Sequence, residues 1–441
     1  MENTYTKNKI NLPNEIILEL ISFLYPLDIG KSKKFKINCL KTYNHIEGNK
    51  ILEKLLCVSY NFYKLIKKYC NTVLFIDMDI NNKIENNKNI KYLRCFNLKN
   101  ITDKNIEILI NLKYLNITSI FKYNFITDKG IQNLKKLEYL YVDNITITDN
   151  GIKNLTNLKE LDLGTNQNIT DNGIKNLINL KYLDLYYNEN ITNDGIKNLI
   201  KLKRLNLLSN SNITDKGIKK LINLKYLDLQ SNLNITDDGI KKLINLKYLD
   251  LQSNLNITND GIKNLINLEY IKLINNDNIT NLGIENLIKL EYLYLYNSYD
   301  ITDKGIKNLI NLKELNLFFN ENITDDGIKN LTNLKTLILP INQNITNLGI
   351  KNLINLEYLD LENVQTIIDE TIKKLTKLKY INLPYNNIIT DDGIKNLINL
   401  RYLNLNMNKK ITCNGIKNLH KLRTFSLNHS NICNNTIFNK I

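Results

Sequence analysis

Several residue types are scarce in this sequence, and each scarcity excludes a class of structure. The 441-residue chain has no Trp, only four Pro and only 16 Gly, so long flexible or proline-rich linkers are nearly excluded. No stretch approaches the roughly 18 consecutive apolar residues of a membrane-spanning helix. The start of the chain also lacks the apolar core of a signal peptide. We therefore expect the protein in the cytoplasm; the nucleus and, for a viral protein, the cytoplasm of the host cell are the alternatives.

Cysteine is also scarce, and its placement agrees with a reducing compartment. The six cysteines form no Cys-x-x-Cys pair, and none lies between Cys95 and Cys413, whereas a secreted repeat protein usually closes its ends with paired cysteines. The tripeptide Asn-Ile-Thr recurs and would be a glycosylation acceptor in a secretory compartment. It occurs, among other places, at Asn168, Asn190, Asn212, Asn234, Asn256, Asn278, Asn322 and Asn344. Glycans on successive repeats would crowd one face, so this pattern too favours the cytosol.

The charged and polar residues offer little for catalysis or for nucleic acid. Lys and Arg number 59 and Asp and Glu 44, a net charge of +15, which raises nucleic acid as a partner. However, Lys alternates with acidic residues, as in Lys181 and Asp184, and such a mixture suits a solvated surface better than a phosphate-binding groove. The histidines His45, His420 and His429 are scattered, and no nucleotide-binding glycine pattern occurs. We predict no catalytic residue, no cofactor and no metal site, and we expect a protein partner more than a nucleic acid, with RNA binding on the strand tyrosines as the remaining alternative.

A repeat of 22 residues dominates the sequence. A glycine recurs at this spacing from Gly151 to Gly415, with Thr371 in its place once and Asn105 in a looser upstream copy. The unit reads L-x-x-L-x-L-x-x-N-x-N-I-T-D-x-G-I-x-x-L-x-x, and about sixteen L-x-x-L-x-L cores lie between Ile90 and Leu427. So regular a period is the signature of a solenoid.

Each part of the unit predicts a local structure. The L-x-L segment has a period of two, so its leucines point inward, as in a short strand, and successive strands should pair in parallel. The Asn that follows, such as Asn188, should hydrogen-bond its own and adjacent repeats in a ladder. Ile-Thr-Asp-x-Gly-Ile predicts a helix start capped by Thr or Asp. Thr371 and Asn105 replace the Gly in two repeats, so a strictly positive φ is not required at this position. Close packing between repeats is therefore the better explanation of the recurring Gly.

These residues resemble the leucine-rich repeat family over about residues 90–441, and Ile-Thr-Asp-x-Gly-Ile is similar to the subclass common in F-box proteins. The unit here is shorter, at 22 residues, and has Asn where that subclass often has Cys, so we expect one or two helical turns per repeat. The resemblance implies an α/β horseshoe solenoid with a parallel β-sheet on the concave face and short helices on the convex face. We assign residues 76–441 to this solenoid, with about 16 repeats.

The first part of the chain lacks this repeat and predicts helices instead. The segment Leu12–Leu24 places Pro13 and Glu15 in a first helical turn and carries apolar residues at helical spacing. A second helical pattern covers Ile51–Tyr69. We therefore assign residues 1–75 to a small α-helical domain with a basic segment inserted at about 30–50. The alternative is a plain helical cap over the open end of the solenoid.

The Leu-Pro-x-Glu opening at Leu12, the apolar helix face and the Val58-Ser59 pair resemble an F-box. In that family this unit docks on a Skp-type adaptor, which bridges to a cullin ubiquitin ligase. The resemblance therefore implies adaptor contacts by one set of residues: Leu12, Pro13, Glu15, Ile16, Ile17, Leu20, Leu24 and Val58.

Exposed positions that differ among repeats are the candidates for recognition. The residue before the second strand Leu is often Tyr, which strand geometry aims at the concave face. This row is either an aromatic platform for a partner or a self-stacking that stiffens the sheet. The two positions after the last strand Leu vary more and include the aromatic pairs typical of binding surfaces. The alternative is that these residues vary only because the fold does not constrain exposed positions. The candidate partner-binding residues are Tyr182, Tyr187, Tyr226, Tyr248, Tyr270, Tyr292, and the patch of Tyr294, Tyr296, Phe318 and Phe319.

Together these features predict a non-catalytic substrate-recognition subunit of a Skp-cullin-F-box ubiquitin ligase. The N-terminal domain would hold the adaptor, and the concave face of the repeats would bind an unknown target protein. The alternative is a leucine-rich repeat protein-binding scaffold or inhibitor without a role in ubiquitin transfer.

Overall fold

A computed structural model describes residues 74–76, 90–94, 101–118, 125–143, 146–426 and 428 of the chain. There the chain winds as a solenoid in which a short strand alternates with a single helical turn. The adaptor-binding residues predicted between Leu12 and Val58, the basic insertion and the degenerate last repeat lie outside the described residues.

The strands form one parallel sheet in chain order. In the described part they are β1 Leu74–Ile76, β2 Tyr92–Arg94, β3 Tyr114–Asn116, β4 Tyr139–Tyr141, β5 Glu160–Asp162, β6 Tyr182–Asp184, β7 Arg204–Asn206, β8 Tyr226–Asp228, β9 Tyr248–Asp250, β10 Tyr270–Lys272, β11 Tyr292–Tyr294, β12 Glu314–Asn316, β13 Thr336–Ile338, β14 Tyr358–Asp360, β15 Tyr380–Asn382, β16 Tyr402–Asn404 and β17 Thr424–Ser426. Each strand pairs with the next so that equivalent repeat positions stand side by side, as Tyr226 does with Tyr248. The predicted parallel stacking is confirmed.

One helical turn of four residues follows each strand from β2 to β16. These turns are α1 Asp103–Ile106, α2 Asp128–Ile131, α3 Asp149–Ile152, α4 Asp171–Ile174, α5 Asn193–Ile196, α6 Asp215–Ile218, α7 Asp237–Ile240, α8 Asn259–Ile262, α9 Asn281–Ile284, α10 Asp303–Ile306, α11 Asp325–Ile328, α12 Asn347–Ile350, α13 Asp369–Ile372, α14 Asp391–Ile394 and α15 Cys413–Ile416. Most begin at a Thr whose hydroxyl accepts a backbone N–H, as Thr236 does from Asp238 at 3.3 Å. The 22-residue unit leaves room for one turn, the shorter of the two predicted lengths.

The core is a stack of identical apolar layers between the sheet and the helical turns. In the repeat that begins at Leu180, the fully buried side chains are Leu180, Leu183, Leu185, Ile191, Ile196 and Leu199. The same positions are buried in the neighbouring repeats. Because a single layer is open on two sides, each repeat depends on its neighbours for burial, as expected of a solenoid.

A ladder of buried asparagines joins the repeats at the turn after each strand. The Nδ2 of Asn232 donates to the carbonyl oxygen of Asn210 at 2.6 Å, and its Oδ1 accepts from the backbone N–H groups of Asn234 and Ile235 at 3.1 and 3.2 Å. The carbonyl oxygen of Asn232 accepts in turn from Asn254. The predicted ladder is confirmed, and it satisfies backbone groups that the turn would otherwise bury unpaired.

The recurring glycines lie where successive helical turns come closest. A Cβ added to Gly239 would overlap Oδ1 of Asp215 and would lie 3.1 Å from Cγ2 of Ile235 and 3.3 Å from Cα of Asp215. Among the described glycines, only Gly164 has a positive φ, of 44°. Close packing is therefore the reason for the glycine, as the sequence predicted.

Candidate protein-binding face

The first and third residues of each strand turn away from the core and form what we call the strand face. In β8, the middle residue Leu227 is fully buried, whereas Tyr226 and Asp228 project to the other side, where Tyr226 remains partly exposed. This alternation follows from the two-residue period of a strand. The strand face carries six of the ten predicted partner-binding residues: Tyr182, Tyr226, Tyr248, Tyr270, Tyr292 and Tyr294. Contacts between strands organise its side chains.

Three tyrosines of adjacent strands stack ring on ring. The ring centroids of Tyr226 and Tyr248 are 4.0 Å apart with an interplanar angle of 12°, and those of Tyr248 and Tyr270 are 4.1 Å apart at 15°. Paired strands lie about 4.8 Å apart, so equivalent rings reach stacking distance with little adjustment. The two faces of Tyr248 are covered by its neighbours, which leaves the ring edges and hydroxyls to face a partner.

The aromatic row continues beyond this stack with tilted rings. Tyr270 lies 6.1 Å from Tyr292 and 5.3 Å from Tyr294. The hydroxyl of Tyr294 donates to the Glu314 carboxylate at 2.5 Å. Tyr294 is thus part of the tyrosine row and anchored by a carboxylate of the next strand.

Arg204 takes the tyrosine position in β7 and fills the gap in the row. Its guanidinium carbon lies 5.2 Å from the ring centroid of Tyr182 and 4.8 Å from that of Tyr226. Both distances fall within the range of cation–π attraction. The strand face therefore already accommodates one guanidinium group between two tyrosine rings.

Carboxylates occupy the third strand position next to the tyrosines. Asp184 accepts from the Tyr182 hydroxyl at 2.8 Å and from Nδ2 of Asn206 at 3.0 Å. Asp250 lies 3.3 Å from Nζ of Lys272 and accepts from the backbone N–H of Gln252 at 2.9 Å. Each carboxylate is held by a neighbouring strand or turn, so the acidic groups are fixed in place.

Burial and like charge shift the pKa values of this row. Burial raises the pKa of Asp162 to about 7, and the neighbouring carboxylate of Asp184 adds to the shift. Burial, with the charge of Asp250 next, raises the pKa of Asp228 to about 6. Burial also raises the pKa of Tyr226 to about 12, so its hydroxyl stays protonated. At neutral pH the row holds protonated tyrosines beside carboxylates that would gain from a nearby cation.

Asp162 should make the stability of the fold depend on pH. Its pKa is about 7 in the folded chain against an ordinary value near 3.8 for an exposed Asp, so the folded state binds the proton more tightly than the unfolded state. Stability should therefore fall as pH rises from about 4 to about 7. We expect Asp162→Asn to remove this slope and to add about 2–4 kcal/mol to the free energy of unfolding at pH 8, the lower figure allowing for solvent screening of this partly exposed carboxylate.

Urea unfolding of both proteins between pH 4 and pH 8 measures this effect. Asp184 and Asp143 raise the pKa of Asp162, and the backbone N–H of Gly164 opposes the shift. Asp194→Asn, on an exposed helical turn, is the control and should leave the slope in place. Equal pH dependence of the wild-type and Asp162→Asn proteins would contradict the assignment.

A second aromatic cluster lies just beyond the strands. The ring of Tyr296 is 5.0 Å from Phe318 and 5.7 Å from Phe319, and the two Phe rings are 4.5 Å apart. Three residues of the predicted patch are thus in mutual contact, whereas the fourth, Tyr294, contacts the tyrosine row. Tyr187 also lies beyond its strand, and its ring is 4.3 Å from that of Tyr186.

The backbone at these aromatic positions is left-handed. Tyr187 has φ 53° and Phe319 has φ 54°, and the equivalent residue of most other repeats is Ser or Asn at nearly the same angle. Asn tolerates this region well, whereas bulky side chains strain the backbone there. The aromatic residues therefore occupy positions that favour smaller side chains on stability grounds alone.

Ile341 provides a direct measure of this strain. It is β-branched and has φ 67°, whereas Asn363 fills the same position in the next repeat at φ 52°. We expect Ile341→Asn to stabilise the fold by about 1 kcal/mol, because Asn relieves the left-handed strain. Denaturant unfolding tests this, and the reverse change, Asn363→Ile, should destabilise by a similar amount. A loss of stability in Ile341→Asn would show that apolar contacts of Ile341 outweigh the strain.

The sequence pointed to the tyrosines but not to the groups that hold them. The placement of Arg204 between two rings and the raised pKa values of Asp162 and Asp228 depend on contacts with neighbouring strands. The signal available was an Asp at the third strand position in five repeats, at Asp162, Asp184, Asp228, Asp250 and Asp360. In the described residues, no group of three or more His, Cys, Asp or Glu could hold a metal ion. Within the same ranges, no helix is long and apolar enough to cross a bilayer.

The family comparison identifies the repeats. The model of the Leucine Rich repeat matches the chain at residues 154–178, 176–200, 198–222, 220–244, 242–266, 308–331 and 374–398. Together with the stacked parallel strands and short helical turns, these matches show that the repeats are leucine-rich repeats. Proteins of this fold are typically non-catalytic scaffolds that bind other proteins. No curated protein matches the sequence.

Solved structures share the fold. A leucine-rich repeat protein of Leptospira interrogans is 28% identical, with a TM-score of 0.59, and the match covers 78% of this chain and 91% of that chain. Toll of Drosophila, in complex with Spätzle, is 19% identical with a TM-score of 0.54 over 82% of this chain and 50% of that one. TLR13, in complex with ssRNA13, is 20% identical with a TM-score of 0.50 over 82% and 63%. The last two likenesses concern the fold alone.

Proposed function

We propose that this chain is the substrate-recognition subunit of a Skp-cullin-F-box ubiquitin ligase. The N-terminal residues 1–75 would bind the Skp-type adaptor, and the strand face would bind the target protein. The ordered row of tyrosines and carboxylates on the strand face carries the recognition half of the proposal. The resemblance of Leu12–Leu24 and Val58-Ser59 to an F-box supports the adaptor half. The cytoplasm or nucleus is the compartment that such a role requires.

The charge of the strand face favours a protein target over nucleic acid. From β5 to β14 its first and third positions carry seven carboxylates and two cationic side chains, although the whole chain has a net charge of +15. The carboxylates are Glu160, Asp162, Asp184, Asp228, Asp250, Glu314 and Asp360, and the cations are Arg204 and Lys272. A phosphate backbone would be repelled here, whereas Lys or Arg side chains of a protein would be attracted.

Arg204 indicates how such a side chain would be held. It lies between two tyrosine rings at 5.2 and 4.8 Å, and Asp184 and Asp228 belong to the same neighbouring strands as those rings. Beyond the strands, the cluster of Tyr296, Phe318 and Phe319 offers an apolar anchor of the kind that dominates binding energy at protein interfaces. A target with basic and apolar side chains would match both parts of this surface.

Adaptor binding is the first test of the proposal. The full-length chain should co-purify with a Skp-type adaptor, and replacing Leu12, Pro13 and Ile17 with Asp should abolish this binding because these residues supply its apolar contact. Lys33→Ala, in the basic insertion, is the control and should bind normally. Intact adaptor binding by the triple variant would contradict the F-box assignment and favour a scaffold or inhibitor without a ubiquitin role.

Target binding is tested separately on the aromatic cluster just beyond the strands. We expect Phe318→Ala with Tyr296→Ala to lose at least tenfold in affinity for any ubiquitinated target of the complex, since hot-spot aromatics contribute about 2 kcal/mol or more each. The adaptor should still bind. If binding instead belongs to RNA on the tyrosine row, affinity for a single-stranded RNA should fall steeply with added salt; no such dependence would remove that alternative.

A further inference from the structure

A row of exposed isoleucines runs along the solenoid away from the strand face. We call it the Ile row, and it consists of Ile178, Ile200, Ile222, Ile244, Ile266, Ile288 and Ile310. Each of these side chains is 52–55% exposed. Each follows a buried Leu in the turn that leads from a helical turn to the next strand. Seven half-exposed isoleucines in adjacent repeats make an apolar strip on the order of several hundred Å², as large as the functional patches of soluble proteins.

Packing does not require isoleucine at this position. Thr156, Thr332 and Thr376 occupy it in other repeats, and His420 does so near the end of the described part. The fold therefore accepts a polar residue here, and the unbroken isoleucines from Ile178 to Ile310 have no structural cause in the core. An exposed apolar strip that the fold does not need is a mark of an interaction surface.

Hydrogen bonds between repeats fix the spacing of the Ile row. Where an Asn follows the isoleucine, its Nδ2 donates to the carbonyl oxygen of the equivalent residue one repeat upstream. Lys201 and Lys289 follow Ile200 and Ile288 instead, and their Nζ atoms donate to Asn179 and Asn267 of the preceding repeat. Asn223 donates to Ile200, Asn245 to Ile222 and Asn267 to Ile244, each at 2.9 Å. The row is thus held rigid before any partner arrives, which lowers the entropic cost of binding.

Lysines flank the N-terminal half of the Ile row. No acidic residue lies within three positions of Ile178, Ile200, Ile222 or Ile244, whereas both the third residue before and the third residue after each of them is Lys. These eight lysines are exposed. They are Lys175, Lys181, Lys197, Lys203, Lys219, Lys225, Lys241 and Lys247. Three of them pair within the chain: Lys197 with Asp194, Lys241 with Asp238 and Lys247 with Glu269. The remaining excess of positive charge complements an acidic partner and disfavours a second copy of the same surface.

The spacing of the row fits a helix. Neighbouring isoleucines are separated by the strand spacing of about 4.8 Å, and a helix places one apolar residue on a given face about every 5.4 Å. Over the four lysine-flanked isoleucines the accumulated difference is about 2 Å, which side-chain rotamers absorb. An extended strand places a side chain on the same face only about every 6.8 Å. Its side chains would therefore fall out of step with the isoleucines within two residues of that face.

We propose that the Ile row binds an amphipathic α-helix of a partner protein, with apolar residues on one stripe and acidic residues along its flanks. The helix lies parallel to the solenoid axis. Its apolar stripe packs on Ile178 to Ile244, and its acidic flanks pair with the lysines on either side. This surface is separate from the strand face, so both could be occupied at once.

Two designed peptides test the proposal on the full-length chain. Both are 21-residue helices with Leu at every third or fourth position, one with Glu and the other with Lys on the flanks. Fluorescence anisotropy at physiological salt should show saturable binding of the Glu peptide and none of the Lys peptide. Ile200→Thr, Ile222→Thr and Ile244→Thr together should weaken binding at least tenfold, and Lys203→Glu with Lys225→Glu should do the same.

The fold itself provides the matched control. The triple variant should fold normally, because Thr already occupies this repeat position at Thr156 and Thr332. Ile354→Thr with Ile398→Thr changes the same repeat position outside the Ile row and should leave peptide binding unchanged. The proposal is overturned if the triple variant binds the Glu peptide as well as the wild type does, or if the Lys peptide binds equally. If the chain binds phosphatidylserine vesicles but neither peptide, the proposal is overturned in favour of a membrane surface. If the wild type self-associates and the triple variant does not, it is overturned in favour of a second copy of the chain.

Discussion

Asn232→Val should lower the free energy of unfolding by about 3–5 kcal/mol. The Asn232 side chain is fully buried and makes three hydrogen bonds, to the carbonyl of Asn210 and from the N–H groups of Asn234 and Ile235. Valine leaves these three backbone groups without that partner in the interior, and each such group costs about 1–3 kcal/mol. Partial relaxation of the turn keeps the expected total below the simple sum.

Val364 supplies the reverse experiment within the same chain. It occupies the ladder position of its repeat and is fully buried, while Asn386 still donates to its carbonyl oxygen at 2.6 Å. Val364→Asn should therefore gain about 1 kcal/mol by adding the missing hydrogen bonds. Denaturant unfolding measures both variants, and hydrogen exchange should show local opening around Asn232 because solenoid repeats depend on their neighbours. Unchanged stability in Asn232→Val would refute the role of the ladder.

Gly239→Val should cost about 2–4 kcal/mol. The new Cβ would overlap Oδ1 of Asp215, and this carboxylate cannot turn away freely. It accepts from the backbone N–H and from the hydroxyl of Thr236, both at 2.8 Å. The variant must therefore either break these hydrogen bonds or separate two helical turns, and overpacking of this kind is destabilising.

Thr371 takes the place of the glycine in one repeat, and it suggests a control for the Gly239→Val experiment. Its hydroxyl donates to Oδ1 of Asn347 at 2.7 Å, and the N-cap residue of that helical turn is Ile368 and not Thr. Gly239→Thr has nearly the same shape as Gly239→Val but can donate to Asp215 in the same way. We expect the Thr variant to be about 1 kcal/mol more stable than the Val variant. Equal unfolding midpoints would show that the hydroxyl does not relieve the contact.

The repeat architecture was predictable because its causes are local or strictly periodic. Alternating leucines predicted the strands, the recurring Asn predicted the ladder, and the replacement of glycine at Thr371 pointed to packing. The role of Asp215 was not predicted correctly in full. Its repeat position suggested a cap for its own helical turn, but the N-cap residue of that turn is Thr214, and the Asp215 carboxylate accepts from Thr236 of the following repeat. A contact across 21 positions is invisible in a single repeat unit.

The sequence by itself determined the solenoid. A pattern present in each repeat predicts the period, the positions of strands and turns, the buried residues and the tyrosine row. Only the tertiary structure decided how equivalent residues of neighbouring repeats meet. It placed Arg204 between two rings, brought Asp162 and Asp184 close enough to raise a pKa, and aligned the isoleucines from Ile178 to Ile310 into one strip. The physical reason is that stacking at about 4.8 Å converts a residue type repeated every 22 positions into a continuous surface.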